Sequence, residues 1–373
     1  QADGLLDQPG IWRYKALLPV EYDAATPPLV VGDTPLYKAA NVAGALGVGE
    51  VWIKDDGRNP TASLKDRASA VIVAKAMSEG RDIVTTASTG NAAAALAGLA
   101  ASVQMPTVIF VPASAPEAKI TQLLVYGSHV LLVEGQYGDA FDLCLEATDE
   151  YGWYCRNTGY NPYTAEGKKT VAFEICDQLS GKPGIFEAPD TIMVSVGDGN
   201  IISGLHKGLK DLHALGWIDH IPRLIGVQAE GSSAMYQAWK AGIDPATMKP
   251  IEVETVADSI SASLPRDRVK AMNAVTETDG LYVTVSDEEI LAAIPKLARA
   301  TGVFAEPAAS ATYAALLNGA EEGLFAPDER IVVLITGNGL KDVRSAQRAV
   351  PQAPTVRPSL ADVAPVIDEI FGT

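Results

Sequence analysis

Cysteine, histidine and basic residues are all scarce in this chain, and each scarcity removes a class of chemistry. Of 373 residues only three are cysteine: Cys144, Cys155 and Cys176. Their number is odd and their spacing matches neither a metal site nor a redox pair, so no disulfide framework is expected. All three sit in apolar runs and read as buried free thiols of a reducing compartment, which points to a cytoplasmic protein. Four histidines (His129, His206, His213, His220) accompany no serine or cysteine in a nucleophile motif. His206 and His213 share a helical face but no carboxylate joins them at ligand spacing, so no metal site is expected. Lysine and arginine total 29 against 46 acidic residues, a formal net charge of −17. That balance argues against nucleic acid or an anionic membrane as partner, and any anionic ligand must be held by local cations and helix N-termini. No apolar run is long and unbroken enough to span a bilayer. Gln1 is not an initiator methionine, and nothing beside it resembles a signal peptide.

What is present is a large apolar fraction, 47%, enough for a substantial core in one large or two modest domains. The opening, to about Pro27, is aromatic and proline-rich and is expected to pack across another domain or subunit. From Glu50 on, short apolar runs alternate with longer amphipathic ones. Strands are expected at 50–54, 83–87, 107–111, 130–133, 153–156, 191–196, 224–228, 281–285 and 331–336. Helices are expected at 91–101, 117–126, 139–151, 166–179, 287–300 and 308–317, with others starting at Ile202 and Ser233. The chain after Asp342 reads as a proline-rich tail. Such alternation means an α/β fold of mostly parallel sheets covered on both faces. Two open domains with a cleft between them suit it better than a barrel. Ligands of such folds sit beyond the C-terminal ends of strands, so the strand-to-helix junctions matter most.

The first such stretch is Asn59-Pro60-Thr61-Ala62-Ser63-Leu64-Lys65-Asp66-Arg67, a turn entering a helix, with Ser63 available as its cap. An ammonium in the first helical turn is disfavoured by the partial positive charge there. A neutral or condensed lysine escapes that penalty; a surface lysine paired with Asp66 is the plainer alternative. Next comes Ala87-Ser88-Thr89-Gly90-Asn91, where hydroxyls, an amide and a helix N-terminus suit a carboxylate or phosphate. Val196-Gly197-Asp198-Gly199-Asn200-Ile201-Ile202-Ser203-Gly204 lacks both the dinucleotide spacing and the Gly-Lys-Ser/Thr ending, and fits a single phosphate. Thr336-Gly337-Asn338-Gly339 ends another strand with a neutral hydroxyl, and Glu306-Pro307 places a carboxylate where a helix begins.

These stretches, in this order, resemble the pyridoxal-phosphate enzymes of the tryptophan-synthase-β fold and, within them, the threonine synthases. The likeness runs from about Gly32 to Asp342 and includes Glu166-Gly167-Lys168-Lys169-Thr170 and Gly226-Val227-Gln228-Ala229. It implies fold type II: a large cofactor-binding domain of residues 1–60 and 165–373, and a small domain of residues 61–164. It also implies pyridoxal 5′-phosphate as cofactor, an amino-acid substrate and a homodimer. Lys65 matches the Schiff-base lysine and Asn91 the partner of the ring hydroxyl. Gly197, Asp198, Gly199, Asn200 and Ile201 match the phosphate loop, with the Asp198 side chain expected to point away from the dianion. Thr336 matches the partner of the ring nitrogen. Ser88, Thr89 and Gly90 match the carboxylate site, with Asn157, Thr158 and Arg58 expected on the substrate side.

The implied reaction turns O-phospho-L-homoserine and water into L-threonine and phosphate. Three positions depart from the family pattern. Ala92 stands where S-T-G-N-T ends in threonine, Thr164 stands where an arginine for the substrate phosphate is expected, and the glycine loop is one residue short. Arg58, Arg156, Lys168 and Arg266 are the replacement cations to consider. Without a tail cation the same scaffold suits a dehydratase or ammonia-lyase, or a β-replacement synthase. A non-catalytic amino-acid or nucleotide binder is the alternative of another class.

Overall fold

The computed structural model describes residues 8–115, 117–182 and 184–372, so Gln1 and the start of the opening segment lie outside the described residues. Among the described residues ten strands form two sheets. Six of them, β1 (Leu36–Lys38), β2 (Glu50–Asp55), β7 (Thr191–Ser195), β8 (Arg223–Ala229), β9 (Leu281–Val285) and β10 (Arg330–Ile335), lie in the order β1-β2-β10-β7-β8-β9. The others, β3 (Val84–Ala87), β4 (Thr107–Pro112), β5 (His129–Val133) and β6 (Tyr154–Cys155), lie in the order β5-β4-β3-β6. Of the strand pairs among the described residues, only β1–β2 is antiparallel. The α/β class with mostly parallel sheets is thus as the sequence led us to expect.

The helices are α1 (Ala40–Leu46), α2 (Lys65–Ser78), α3 (Asn91–Ala101), α4 (Glu117–Val125), α5 (Tyr137–Tyr151), α6 (Tyr163–Lys168) and α7 (Thr170–Leu179). They continue as α8 (Asn200–Ala214), α9 (Ala234–Ala241), α10 (Arg268–Thr276), α11 (Asp287–Thr301), α12 (Pro307–Glu321), α13 (Val343–Arg348) and α14 (Leu360–Phe371). The single helix expected over 166–179 is two, meeting at Lys169. Helices α1, α10, α13 and α14 stand where the sequence reading placed none; the last two lie within the supposed tail.

The central strands are continuous apolar runs because both faces are covered. Along β7 and β10 the side chains alternate between two cores. Ile192, Val194, Val332 and Leu334 join the cluster formed with α7 and α8. Met193, Ile331, Val333 and Ile335 join the one formed with α11 and α12. A third core packs Ile11, Trp12, Leu18, Val20 and Val31 of the opening segment against α2 and α3. Tyr14 points elsewhere: its ring lies 5.3 Å from that of Phe173 and its hydroxyl donates to Asp177 at 3.0 Å. The opening therefore packs on both parts of the molecule, as its composition suggested.

Helix α2 is anchored by a fully buried ionic cluster. Arg67 donates from Nε to Asp56 at 2.6 Å and from Nη1 and Nη2 to Glu174 at 2.8 and 2.7 Å. Lys54 Nζ donates to the same Glu174 at 2.8 Å. Two cations and two anions balance, which is what makes such burial tolerable. The cluster ties α2 to β2 and α7 two residues beyond Lys65.

Candidate active site

The strand ends deliver their following residues to one cleft of about 760 Å³. Lys65, Ser88, Thr89, Gly90, Asn91, Thr158 and Thr336 line it, as do Gly197, Asp198, Gly199, Asn200 and Ile201. Most of the residues singled out from sequence are thus brought together. Arg58 is not: it ends a single turn of 3-10 helix at Asp56–Arg58 and is exposed, because Asp56 beside it is drawn inward to Arg67. Asn157 stands behind the wall, where its Oδ1 accepts from Thr86 Oγ1 at 2.9 Å and from the Ala87 N–H at 2.7 Å. It braces the end of β3 while its buried Nδ2 has no partner among the described residues.

Lys65 opens α2, and its entry is stitched to the other sheet. The Leu64 N–H donates to Thr336 O at 2.9 Å and the Asn338 N–H to Ala62 O at 3.0 Å. Ala62 holds a left-handed φ of 67°, strain that a side-chain-bearing residue tolerates only under such constraint. The chain enters the helix already coiled at Leu64, so Ser63 does not act as the cap; its Oγ is buried without a partner among the described residues. Asp66 does not pair with Lys65 either. It is buried and accepts from the Thr61 N–H at 2.7 Å, and burial pushes its carboxyl up to about 6. The Lys65 side-chain amine makes no hydrogen bond or ion pair among the described residues. Burial lowers its amine to about 8; Arg156 pushes the same way, while Glu306, Asp198 and Asp56 pull it back up. The helix-start amine therefore gives up its proton more readily than an ordinary lysine.

Opposite it, β7 turns through Gly197, Asp198 and Gly199 into α8. Gly199 has φ +88°, and a Cβ there would stand 2.6 Å from Ala271 Cβ. A Cβ on Gly197 would stand 2.8 Å from the Ile260 backbone. With the turn this tight, the N–H groups of residues 197–202 find no acceptor among the described residues. Such a nest at a helix N-terminus is made for a phosphate. The Asp198 carboxylate is held by the Arg266 N–H at 3.3 Å, and burial raises its proton affinity.

The cleft is cationic inside a strongly acidic chain. Arg156 and Lys168 are each 1% exposed, and neither is ion-paired among the described residues. Lys168 Nζ donates to Asn200 Oδ1, whose amide in turn donates to Asp267 at 2.6 Å. Burial, with Arg156 and Lys65 nearby, drives the Lys168 amine well down. Arg156 is lowered to about 10, again chiefly by burial. Asn91 presents its amide N–H groups to Glu306 at 2.9 and 3.0 Å, and burial raises that carboxyl although the Asn91 bond lowers it. Thr336 Oγ1 lies 3.5 Å from Ser195 Oγ.

Sequence reasoning passed over Ser195, Tyr137 and the loop from Asp258 to Leu264, all of which line the cleft. Tyr137 begins the helix after β5, so the junction rule that found Ser88 applied equally there. The loop follows no strand and carried no signal. Thr164, at the position of the expected arginine, is buried and donates to Asn161 O at 2.8 Å. An unpaired lysine, six free N–H groups and an orphaned guanidinium nitrogen fit a phosphorylated aldehyde.

Relatives point to the same cofactor. Residues 28–337 match the family model described as pyridoxal-phosphate dependent enzyme. A threonine synthase of Methanosarcina acetivorans is 39% identical over 98% of this chain and 87% of its own length. One of Halalkalibacterium halodurans is 35% identical over 97% and 98%. Among solved structures, a fungal L-serine ammonia-lyase from Rhizomucor miehei superimposes with a TM-score of 0.72. It covers 87% of this chain and 98% of its own at 21% identity, a likeness of fold. The chain belongs to the pyridoxal-phosphate dependent enzyme family, as a threonine synthase-like member of it.

Proposed function

We propose that this enzyme is a lyase converting O-phospho-L-homoserine and water to L-threonine and phosphate. The observation that carries the reading is the unpaired buried guanidinium of Arg156, beside Lys65 and apart from the phosphate nest, where Lys168 meets Asn200. One phosphate would satisfy the nest and leave a second cation-lined site open, as a phosphorylated substrate requires. The threonine synthase relatives, matched along nearly the whole chain, support the same substrate.

Pyridoxal phosphate, when bound, supplies the electron sink that lets protons leave Cα and Cβ of the amino acid and phosphate leave Cγ. Gly197, Asp198, Gly199, Asn200 and Ile201 would hold its phosphate through backbone N–H groups. Asn91, steadied by Glu306, would meet its ring hydroxyl, and Thr336 would offer a neutral hydroxyl to its ring nitrogen. Lys65 would anchor it and move the Cα proton through Nζ, for which an amine of lowered proton affinity is needed. Ser88, Thr89 and Gly90 bind the substrate carboxylate, with Thr158 beside them and Asn157 bracing β3 behind them. The division into residues 61–164 and the remainder, a homodimer and a cytoplasmic setting belong to the same reading. No helix among the described residues is long and apolar enough to cross a membrane.

Ala92 and Thr164 favour a second reading, deamination of serine or threonine without a phosphate tail. Cofactor-loaded protein given O-phosphohomoserine decides between the two. Phosphate and threonine released in equal amounts are expected. No phosphate, with 2-oxoacid formed from threonine or serine, refutes the proposal.

A further inference from the structure

Arg156 follows β6, on the small sheet, and its guanidinium is turned into the cleft. Nη1 donates to Thr158 Oγ1 at 2.9 Å and Nε reaches Ser69 Oγ at 3.4 Å, so two hydroxyls fix the plane of the group. Nη2 is buried with no partner among the described residues. A guanidinium that is 1% exposed, has no carboxylate partner and has a free donor is costly unless a ligand completes it. The other cations lack this combination. Lys168 is committed to Asn200 at the phosphate nest. Arg266 is exposed, its guanidinium 4.6 Å from the Phe141 ring centroid. Arg58 does not reach the cleft at all.

We propose that Arg156 is the specificity-determining cation for the substrate's phosphate tail, arriving from β6 in place of the arginine that Thr164 replaces on α6. The proposal rests on the reading of the substrate given above. A guanidinium already oriented by Thr158 and Ser69 meets a phosphate through its remaining N–H groups at little further cost in freedom. An amino acid with no charged tail leaves that group unsatisfied, so the site discriminates against it.

The test compares Arg156→Gln and Arg156→Lys with the wild-type holoenzyme on O-phosphohomoserine and on L-threonine. The visible absorbance of the bound cofactor is followed throughout. Arg156→Gln is expected to lower kcat/KM for O-phosphohomoserine about 100-fold, mainly through KM, and to weaken inhibition by inorganic phosphate in parallel. Its loss on L-threonine is expected to be much smaller. Arg156→Lys, which keeps the charge but not the fork, is expected to recover part of the loss. If the wild type releases no phosphate, the reading of the reaction fails. If it does and Arg156→Gln loses the two substrates equally, the tail assignment fails. Cofactor loading abolished in both variants would make Arg156 a structural cation and would also overturn the assignment.

Discussion

The depressed amine of Lys65 has a kinetic consequence that apo-protein can report. Only the neutral amine attacks an aldehyde. With its ionisation lowered from 10.5 to about 8 by burial, with Arg156 adding its charge, about 9% of Lys65 is neutral at pH 7. An ordinary lysine offers about 0.03% at that pH, so the structure assigns Lys65 an advantage of about 300-fold. The measurement is the rate at which the visible absorbance appears when pyridoxal phosphate is added to apo-protein from pH 6 to 10. The rate is expected to rise with pH and level off above a midpoint near 8. Glu306→Gln removes the carboxylate that most favours the protonated amine, so the midpoint is expected to move lower still. Lys65→Ala should keep the fold and lose the absorbance. A wild-type midpoint near that of free lysine would refute the reasoning, as would an upward shift in Glu306→Gln.

Two further expectations concern what holds the site. Glu174→Gln leaves Arg67 and Lys54 facing Asp56 alone, and should destabilise the protein by about 4 kcal/mol, or about 5 °C in Tm. Burial by itself raises the Glu174 carboxyl, but Arg67 and Lys54 hold it below the ordinary range. Its stabilisation is therefore complete above the unfolded value of about 4.3 and fades as pH falls through the depressed folded one. Glu174→Gln should lack that acid-side loss, and a variant with wild-type Tm and acid profile would count against the cluster. Gly199→Ala combines a positive φ with the 2.6 Å approach to Ala271. It should cost about 2–3 kcal/mol in denaturant unfolding of the apo-protein and weaken cofactor binding. Gly152→Ala, also at positive φ but with open space around it, should cost only about 1 kcal/mol. Equal costs would show that the crowding at the phosphate loop is not real.

The sequence by itself determined the alternation of strands and helices and the place of each junction, because both follow from period and turn chemistry within a few residues. Asn91 begins its helix and Leu281–Val285 forms its strand as the local pattern required. Lys65, Ser88, Gly197 and Thr336 were legible for the same reason: each lies at the end of a strand or the start of a helix, within a residue or two. Ser63 was misjudged because capping depends on how the chain enters the helix, and that entry is dictated by Thr336 and Asn338. Helix α14 escaped notice because prolines precede it and one lies within it. Only the tertiary structure decided which charges are paired. Arg156 meets Ser69 across 87 positions, Arg67 meets Glu174 across 107, and Asn91 meets Glu306 across 215. In sequence, Arg58 was the cation expected on the substrate side, and Arg156 was only one of the replacements to consider. Burial separated them, since a charge left unpaired costs little in water and a great deal inside the protein.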